Sequence, residues 1–269
     1  MKKRFCVILI FALLLTLAAC KQGDNTADTT DGVPTVPSTT LPPVTAGDWG
    51  AAGAEIHWAV DGDTLTISGT GDLKAIPTWA DVPWRSQLTK LKTVVVEKGV
   101  TSLPDYAFTD CENLTAVKLP KTLKSIGLNA FENCVSLETI TLPAGVTTIG
   151  RDAFKNCTAL REVTLSDAMT ALPDELFYGC TALKTVTLPA ALKTVGSRAF
   201  MKCESLPALF LPATVTAFGE DILSLCSGFR GIYYAGTKAQ WKKVYIDPFN
   251  DILCATKVHY NATAEDLPA

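Results

Sequence analysis

Six of the nine cysteines recur at a constant step of 23 residues, and their thiols are the groups most able to do chemistry. They are Cys111, Cys134, Cys157, Cys180, Cys203 and Cys226. Such a set could bind zinc, form disulfides, or pack as small apolar thiols. A structural zinc site needs four converging ligands, usually from close Cys-x-x-Cys pairs, and the sequence contains no such pair. Zinc binding is therefore not predicted.

Disulfides and buried thiols remain as alternatives for these cysteines. Disulfides are the usual state of cysteines in exported proteins. If the repeats stack, however, equivalent residues lie about 4.8 Å apart with their side chains parallel, and parallel side chains oppose the geometry of a disulfide bond. We therefore favour a column of buried thiols, with disulfides as the alternative.

Other residue patterns that could support catalysis are weak. The only histidines, His57 and His259, lie outside the repeats, and no serine elbow, phosphate loop or His-x-x-x-His pair occurs. The run Asp61-Gly62-Asp63 could suggest calcium, but it separates two strand-like runs, and a hairpin turn explains it more simply. The sequence therefore predicts no catalytic residues, no metal, no cofactor and no enzymatic activity.

The elements that position the cysteines can be read from the 23-residue unit C-x-x-L-x-x-V-x-L-P-x-x-V-x-x-I-G-x-x-A-F-x-x. Val117 and Leu119 alternate with Ala116 and Lys118, which predicts a short strand with one buried face. The proline that follows lacks an amide hydrogen and ends the pairing. The later Ala-Phe segment predicts one helical turn with its phenylalanine pointing inward. Six or seven stacked units predict a β-rich solenoid roughly 30 Å long.

The segments I-x-L-P, I-G-x-x-A-F and C-x-x-L resemble the BspA-like leucine-rich repeat of bacterial proteins over residues 91–234. The run from Ile56 to Gly71 is similar to the stretch that often precedes these repeats, so residues 49–90 are predicted to form an N-terminal β cap. The segment that begins at Tyr233 resembles the one that often follows, so residues 235–269 are predicted to be a C-terminal cap and tail. The fourth unit departs from the pattern at Ser166 and at Leu172-Pro173, which predicts a local irregularity.

The N-terminal residues indicate export. A basic start, Lys2-Lys3-Arg4, precedes an apolar run from Phe5 to Leu17 that is short for a membrane span. The run ends in Leu17-Ala18-Ala19-Cys20, which resembles a bacterial lipobox. Residues 1–19 are therefore predicted to be a lipoprotein signal peptide, with Cys20 as the lipid attachment site and membrane anchor. Residues 20–48, rich in threonine and proline, are predicted to form a disordered tether.

The outward strand positions supply the candidate binding surface. Net charge is −3, which offers no basic surface for nucleic acid. One outward column is rich in threonine, low in charge and aromatic at its C-terminal end, and its predicted partner-binding residues are Lys118, Thr141, Thr164, Thr187, Phe210 and Tyr233. Threonine is a good strand former, so a solvated sheet face is one interpretation. A docking face for an extended partner is the other, because exposed aromatic residues are common anchors.

The resemblance implies adhesion and matrix-protein binding in some family members, which is an analogy at the level of the fold. We therefore predict a monomeric, lipid-anchored cell-surface protein that binds an extracellular protein, such as a host matrix protein, through the open solenoid face. The alternative is an envelope scaffold that binds another protein of the same cell. An enzyme is the least favoured class.

Overall fold

The computed structural model describes residues 45–268. The predicted signal peptide, Cys20 and most of the predicted tether lie outside the described residues. The last three residues predicted as tether form strand β1 (Ala46–Asp48), which pairs antiparallel with β2 (Glu55–Asp61). That part of the tether prediction is wrong, because main-chain hydrogen bonds such as the one from Val60 N to Thr45 O attach this segment to the sheet.

Strands β2 and β3 (Thr64–Asp72) form an antiparallel hairpin ahead of the repeats. Its turn is the Asp61–Asp63 segment, where Gly62 has a φ of 58°, so the predicted hairpin turn is confirmed. Strand β3 then pairs parallel with the first strand of the repeats, and two 3₁₀ helices, Trp79–Asp81 and Arg85–Lys90, complete the connection. The hairpin thus extends the repeat sheet, while its role as a cap stays a prediction.

The repeats form two ladders of parallel strands. The first ladder comprises β4 (Thr93–Val96), β6 (Ala116–Lys118), β8 (Thr139–Thr141), β10 (Glu162–Thr164), β12 (Thr185–Thr187), β14 (Ala208–Leu211), β16 (Gly231–Tyr234) and β18 (Lys257–Tyr260). The second comprises β5 (Val100–Leu103), β7 (Ser125–Ile126), β9 (Thr148–Ile149), β11 (Ala171–Leu172), β13 (Thr194–Val195), β15 (Ala217–Phe218) and β17 (Tyr245–Ile246). Paired residues within the repeats lie 23 apart, as Val163 and Val186 do. The chain is therefore a β-solenoid of about seven turns, as predicted.

The predicted helical turn of each repeat is not a helix in the structure. The Ala-Phe segments form consecutive turns, and two residues per repeat take left-handed backbone angles, such as Asn129 (φ 53°) and Asn133 (φ 59°). The amide of each phenylalanine donates to a carbonyl of the following repeat, as Phe131 N does to Ala153 O at 2.8 Å. A helix would use that amide within its own turn. Bonding between repeats therefore replaces bonding within one.

A column of stacked aromatic rings forms the centre of the core. Its members are Trp84, Phe108, Phe131, Phe154, Phe177 and Phe200, with ring centroids of neighbours 5.2–5.8 Å apart. All six rings are fully buried. The indole of Trp84 also donates a hydrogen bond to Ala107 O at 2.7 Å, so the N-terminal ring of the column is fixed in place.

Glycine follows the second ladder because neighbouring repeats approach closely there. A Cβ added to Gly150 would lie 2.3 Å from Leu128 N, and one added to Gly196 would lie 2.5 Å from Asp174 N. In the fourth repeat Pro173 occupies this position and has no amide hydrogen to donate. The ladder is interrupted between β9 and β11 at this repeat, which is the irregularity that the sequence predicts.

The C-terminal segment continues both ladders. Helix α1 (Lys238–Trp241) leads to β17, which pairs with β15, and helix α2 (Asp251–Ala255) leads to β18, which pairs with β16. A 3₁₀ helix, Ala264–Asp266, follows. Asn250 is buried and fixes the intervening loop, because its side-chain amide donates to Gly219 O and its side-chain oxygen accepts from Ile222 N. The segment predicted as cap and tail therefore adds one further rung to each ladder.

Candidate functional site

The structure places the predicted partner-binding residues in one column on the outward face of the first ladder. Thr141, Thr164 and Thr187 are direct neighbours in β8, β10 and β12. Phe210 pairs with Tyr233 in β14 and β16, while Lys118 lies on β6 opposite Val95. Alternation along each strand points these side chains to the same side of the sheet. We name the outward surface of these strands the strand face.

The strand face consists of three groups of paired strands, with interruptions after β6 and after β12. The second interruption has a local cause. Arg161 O accepts a hydrogen bond from Lys184 N, but the residue one repeat later is Pro207, which has no amide hydrogen to donate to Lys184 O. The three threonines and the two aromatic residues therefore belong to separate groups of the same column.

The polarity of the strand face changes along its length. Lys118, Thr141 and Thr187 are exposed. A second outward column lies two residues earlier on each strand, and its acidic member Glu162 is also exposed. Phe210 and Tyr233 are half-buried. Ala208, which alternation places on the same side of β14 as Phe210, is only 7% exposed, so this end of the face is more covered. The face therefore has a polar, threonine-rich middle and a more covered aromatic end.

His259 extends the aromatic end and is a residue that sequence reasoning missed. It lies on β18 beside Tyr233, and the two rings stack with centroids 4.5 Å apart and an interplanar angle of 2°. The step from Tyr233 to His259 is 26 residues instead of 23. The similar alternation of Gly231–Tyr234 and Lys257–Tyr260 was the signal that could have revealed this rung.

The six repeat cysteines are buried and form a regular column. Each Sγ donates a hydrogen bond to a main-chain carbonyl that lies 23 or 26 residues earlier in the chain, at 2.9–3.3 Å, as Cys157 does to Phe131 O. The described cysteines are all free. Burial raises the pKa of Cys111 and Cys157 to about 12 and that of Cys226 to about 11. Because the thiolate is the reactive form, these thiols are unreactive in the folded protein.

This arrangement predicts a thiol-labelling pattern. Iodoacetamide at pH 8 is expected to alkylate the exposed Cys254 in the native protein and none of the six repeat cysteines. Unfolding in denaturant without reductant is expected to expose all six, and peptide mass spectrometry measures both states. A sample treated with reductant before unfolding is the control. Fewer than about five labelled repeat cysteines without reductant would favour the disulfide alternative.

An ion-pair network with two buried carboxylates and partly exposed cations crosses three repeats of the solenoid. The carboxylates of Asp152 and Glu175 are about nine-tenths buried, and Lys155 Nζ lies between them, at 3.0 Å and 2.8 Å. Arg198 Nη1 is 3.1 Å from Glu175, and Arg151 Nε is 2.9 Å from Asp152. Every charge in this network has a partner of opposite sign. The network therefore links neighbouring repeats through ion pairs, and both of its carboxylates are already paired with cations.

The network predicts a pH dependence of stability. Burial by itself raises the pKa of Glu175, but hydrogen bonds from Lys155 and Arg198 outweigh it, and the pKa falls below its ordinary 4.5. A lowered pKa contributes stability above the ordinary value that is lost as pH falls through the folded-state value. Replacing Glu175 by Gln is expected to cost about 1–2 kcal/mol in urea unfolding at pH 7. The difference between the two proteins should therefore shrink as the pH falls below 4.5, and a constant difference would contradict the assignment.

His57 pairs with Asp48 on the N-terminal hairpin, but both side chains are more than half exposed, so the pair is a surface contact. Between residues 45 and 268, no group of three or more His, Cys, Asp or Glu side chains is arranged to hold a metal ion. Over the same residues, no helix has the length and apolar character that crossing a bilayer requires.

The fold and the strand face together define a repeat scaffold. Its parallel strands present one side to solvent, and its core contains the column of stacked aromatic rings. The model of the BspA type leucine-rich repeat region matches residues 86–206 and 147–242, with six copies. These ranges cover more than half of the chain, and the chain belongs to this family. The resemblance found in the repeat motifs is thereby confirmed, and the matching family model is not that of a catalytic family.

Solved structures of several leucine-rich repeat proteins are similar to this chain. A leucine-rich cell surface protein from Faecalibacterium prausnitzii is 24% identical over 60% of this chain, with a TM-score of 0.40, and the chain spans 64% of its length. A leucine-rich repeat protein from Eubacterium ventriosum is 20% identical over 72% of this chain and 73% of its own, with a TM-score of 0.35. The T. pallidum leucine-rich repeat protein is 24% identical over 56% and 88%, with a TM-score of 0.39. No curated protein matches the chain.

Proposed function

We propose that this protein is a lipid-anchored surface protein that binds another protein through the strand face. The observation that carries the proposal is the single outward column in which exposed threonines lead to Phe210, Tyr233 and the stacked His259. Parallel strands of this kind offer a long, regular surface, and aromatic residues at one end are suited to anchor a partner. The family assignment supports a protein-binding repeat, because stacked repeats build extended surfaces and not deep pockets.

The low charge of the strand face suits a partner recognised by shape and hydrogen bonds. Lys118 and Glu162 are the charged side chains of its two columns between β6 and β12, and they lie two repeats apart. The threonine hydroxyls supply donors and acceptors, while Phe210 and Tyr233 supply apolar area that is already half-buried and therefore ordered. Ordered anchors lose less conformational entropy on binding than mobile ones.

A paired capture experiment tests this proposal. The full-length protein is immobilised, and bound proteins are recovered from host secretions and from the cell's own envelope, side by side. Replacing Phe210 and Tyr233 together by Ala is expected to lower capture at least about thirtyfold, the loss of one strong anchor, with little change in thermal unfolding. The matched control replaces Lys193 and Thr216, exposed residues that immediately precede strands β13 and β15 of the second ladder, by Ala. Unchanged capture by the aromatic variant would place the binding face elsewhere.

The source of the captured partner separates the two functions under consideration. An adhesin is expected to capture a protein from host secretions and to be removed from intact cells by added protease. An envelope scaffold is expected to capture a protein of its own cell and to survive the same protease treatment. Recovery of an envelope protein together with protease resistance would therefore replace the adhesin proposal with the scaffold.

The proposed anchor has its own test, because Cys20 lies outside the described residues. Cells that grow with labelled palmitate are expected to label the full-length protein and not the Cys20→Ala variant. The variant is also expected to leave the membrane fraction, because lipid chains gain about 0.8 kcal/mol for each buried CH₂ group. A labelled variant, or a variant that stays bound to membranes, would contradict lipid attachment at Cys20.

A further inference from the structure

The first ladder ends in an open strand edge. Strand β18 pairs with β16 on one side, and no strand among residues 45–268 pairs with its other side. Its inward side chains are correspondingly less covered, since Val258 and Tyr260 are half-buried whereas their neighbours Ile232 and Tyr234 are fully buried. An edge with free amide and carbonyl groups and a partly exposed apolar side is a template for one more strand.

An aromatic ring and a carboxylate lie beside this edge on its outward side. His259 and Tyr233 line an open cavity together with Tyr260, Asn261, Ala262 and Asp266. Because the Tyr233 ring covers one face of the imidazole, the opposite face of His259 is the one left for a ligand. The cavity is therefore lined by the His259 ring and the Asp266 carboxylate. It lies where the next residue of the outward column would be if a further strand paired with β18.

The carboxylate of Asp266 is ionised and available. Its Oδ2 accepts hydrogen bonds from the amide and the hydroxyl of Thr263, at 2.7 Å and 3.0 Å. The hydrogen bond from the Thr263 amide is the main reason why the pKa of Asp266 lies below its ordinary value. No hydrogen bond of the described residues uses its Oδ1, and none of their ion pairs includes it. Asp266 therefore keeps one carboxylate oxygen for a partner cation, although Lys257 lies two residues from His259 on the same side of β18.

We propose that β18 is the docking edge for an extended segment of a partner protein that carries an arginine opposite His259 and an apolar residue on each side of it. This inference deepens the proposed protein-binding function and rests on it. Alternation decides the pattern, because residues opposite Val258 and Tyr260 point inward and cover them, while the residue opposite His259 points outward. A planar guanidinium can stack on the free imidazole face and bond to the Asp266 carboxylate, which a lysine ammonium does less well.

A peptide titration tests the inference on the full-length protein. The probe is the acetylated and amidated pentapeptide Thr-Val-Arg-Val-Thr, measured by isothermal titration calorimetry. One matched peptide has citrulline in place of arginine, which keeps the shape and removes the charge. A second peptide, Thr-Arg-Val-Val-Thr, shifts the arginine by one residue and so directs it to the opposite face. We expect the probe to bind about tenfold or more tightly than either of these peptides, the effect of one charge-assisted contact.

Protein variants localise the binding. His259→Ala and Asp266→Asn are each expected to weaken the probe about tenfold. The asparagine can still accept the hydrogen bonds of Thr263, and an unchanged thermal unfolding curve checks that the 3₁₀ helix is intact. Lys193→Ala, an exposed residue just before strand β13, is the control and should bind the probe as the unchanged protein does. Equal affinity for the citrulline peptide, or no binding of the probe at millimolar concentration, overturns the inference.

The outcome is distinguishable from a failure of the proposed function. If the capture experiment recovers a partner that depends on Phe210 and Tyr233 while the probe does not bind, the strand face functions without the β18 edge. If the probe binds but neither extract yields a partner, the edge is a peptide site and the proposed surface function fails.

Discussion

A chain without residues 112–134, one whole repeat, is expected to fold into a shorter solenoid, whereas a chain without residues 112–122 is expected not to fold. The structure gives the physical reason. Strand pairs such as Val94 and Val117 lie 23 residues apart, and the aromatic stack and the thiol–carbonyl bonds also join one repeat to the next. After removal of 23 residues, every remaining residue still lies in its own column, and those after the deletion lie one repeat closer to the N-terminus. Removal of 11 places buried positions against exposed ones.

Circular dichroism and urea unfolding measure this result. The chain without the whole repeat is expected to keep its β spectrum and one cooperative transition, with the urea m-value reduced by about one seventh because less surface is exposed on unfolding. The chain without the half repeat is expected to show no cooperative transition. A second whole-repeat deletion, residues 181–203, is the matched control for the choice of site. A half-repeat deletion that unfolded cooperatively would contradict the dependence on register.

Replacing Phe154 by Ala is expected to destabilise the protein by about 3–5 kcal/mol, the usual cost of truncating a fully buried phenylalanine. Phe154 is inaccessible to solvent and stacks between Phe131 and Phe177, with centroids 5.4 Å and 5.8 Å away. The variant loses both ring contacts, and a cavity opens in the middle of the column. Because each repeat is held only by its neighbours, a weak repeat at the centre affects the solenoid on both sides.

Urea unfolding followed by circular dichroism measures the loss. Thr141→Ala is the control, since Thr141 is exposed on the strand face and its replacement should change stability by less than about 0.5 kcal/mol. Phe154→Leu is expected to recover part of the loss, because it fills much of the cavity but cannot stack. A cost for Phe154→Ala as small as that of the control would show that the column contributes little.

The sequence predicts the interior of this protein well because the interior is periodic. Leu114, Val117 and Phe131 occupy columns that recur every 23 residues, and a position that is apolar in every repeat has to face the same core. The same reasoning places the outward threonines of the strand face. It also identifies the fourth repeat as irregular, since Pro173 has no amide hydrogen for the ladder.

The connections within each repeat were predicted less well. The Ala-Phe segment is compatible with a helical turn by local preference, but its amides bond to the next repeat, and residues such as Asp152 and Arg198 take left-handed angles. The sequence of a single repeat does not show which hydrogen-bond acceptors the neighbouring repeat provides. The ion pair between Lys155 and Glu175 shows the same limit, because its two members come from neighbouring repeats.

Some residues of the candidate site could be placed from the sequence, and one could not. Phe210 and Tyr233 could be assigned to one outward column from their spacing alone, because equal spacing in a solenoid means adjacent rungs. His259 could not, because helices α1 and α2 lengthen the path between its strand and the one before.

The sequence by itself therefore determined the repeat, the buried columns and the family, since each depends on a pattern that recurs along the chain. Tertiary structure alone decided how the repeats are joined through their turns, which rung ends the first ladder, and which ring lies beside Asp266. Those features depend on which atoms of distant residues meet, and spacing along the chain does not contain that information.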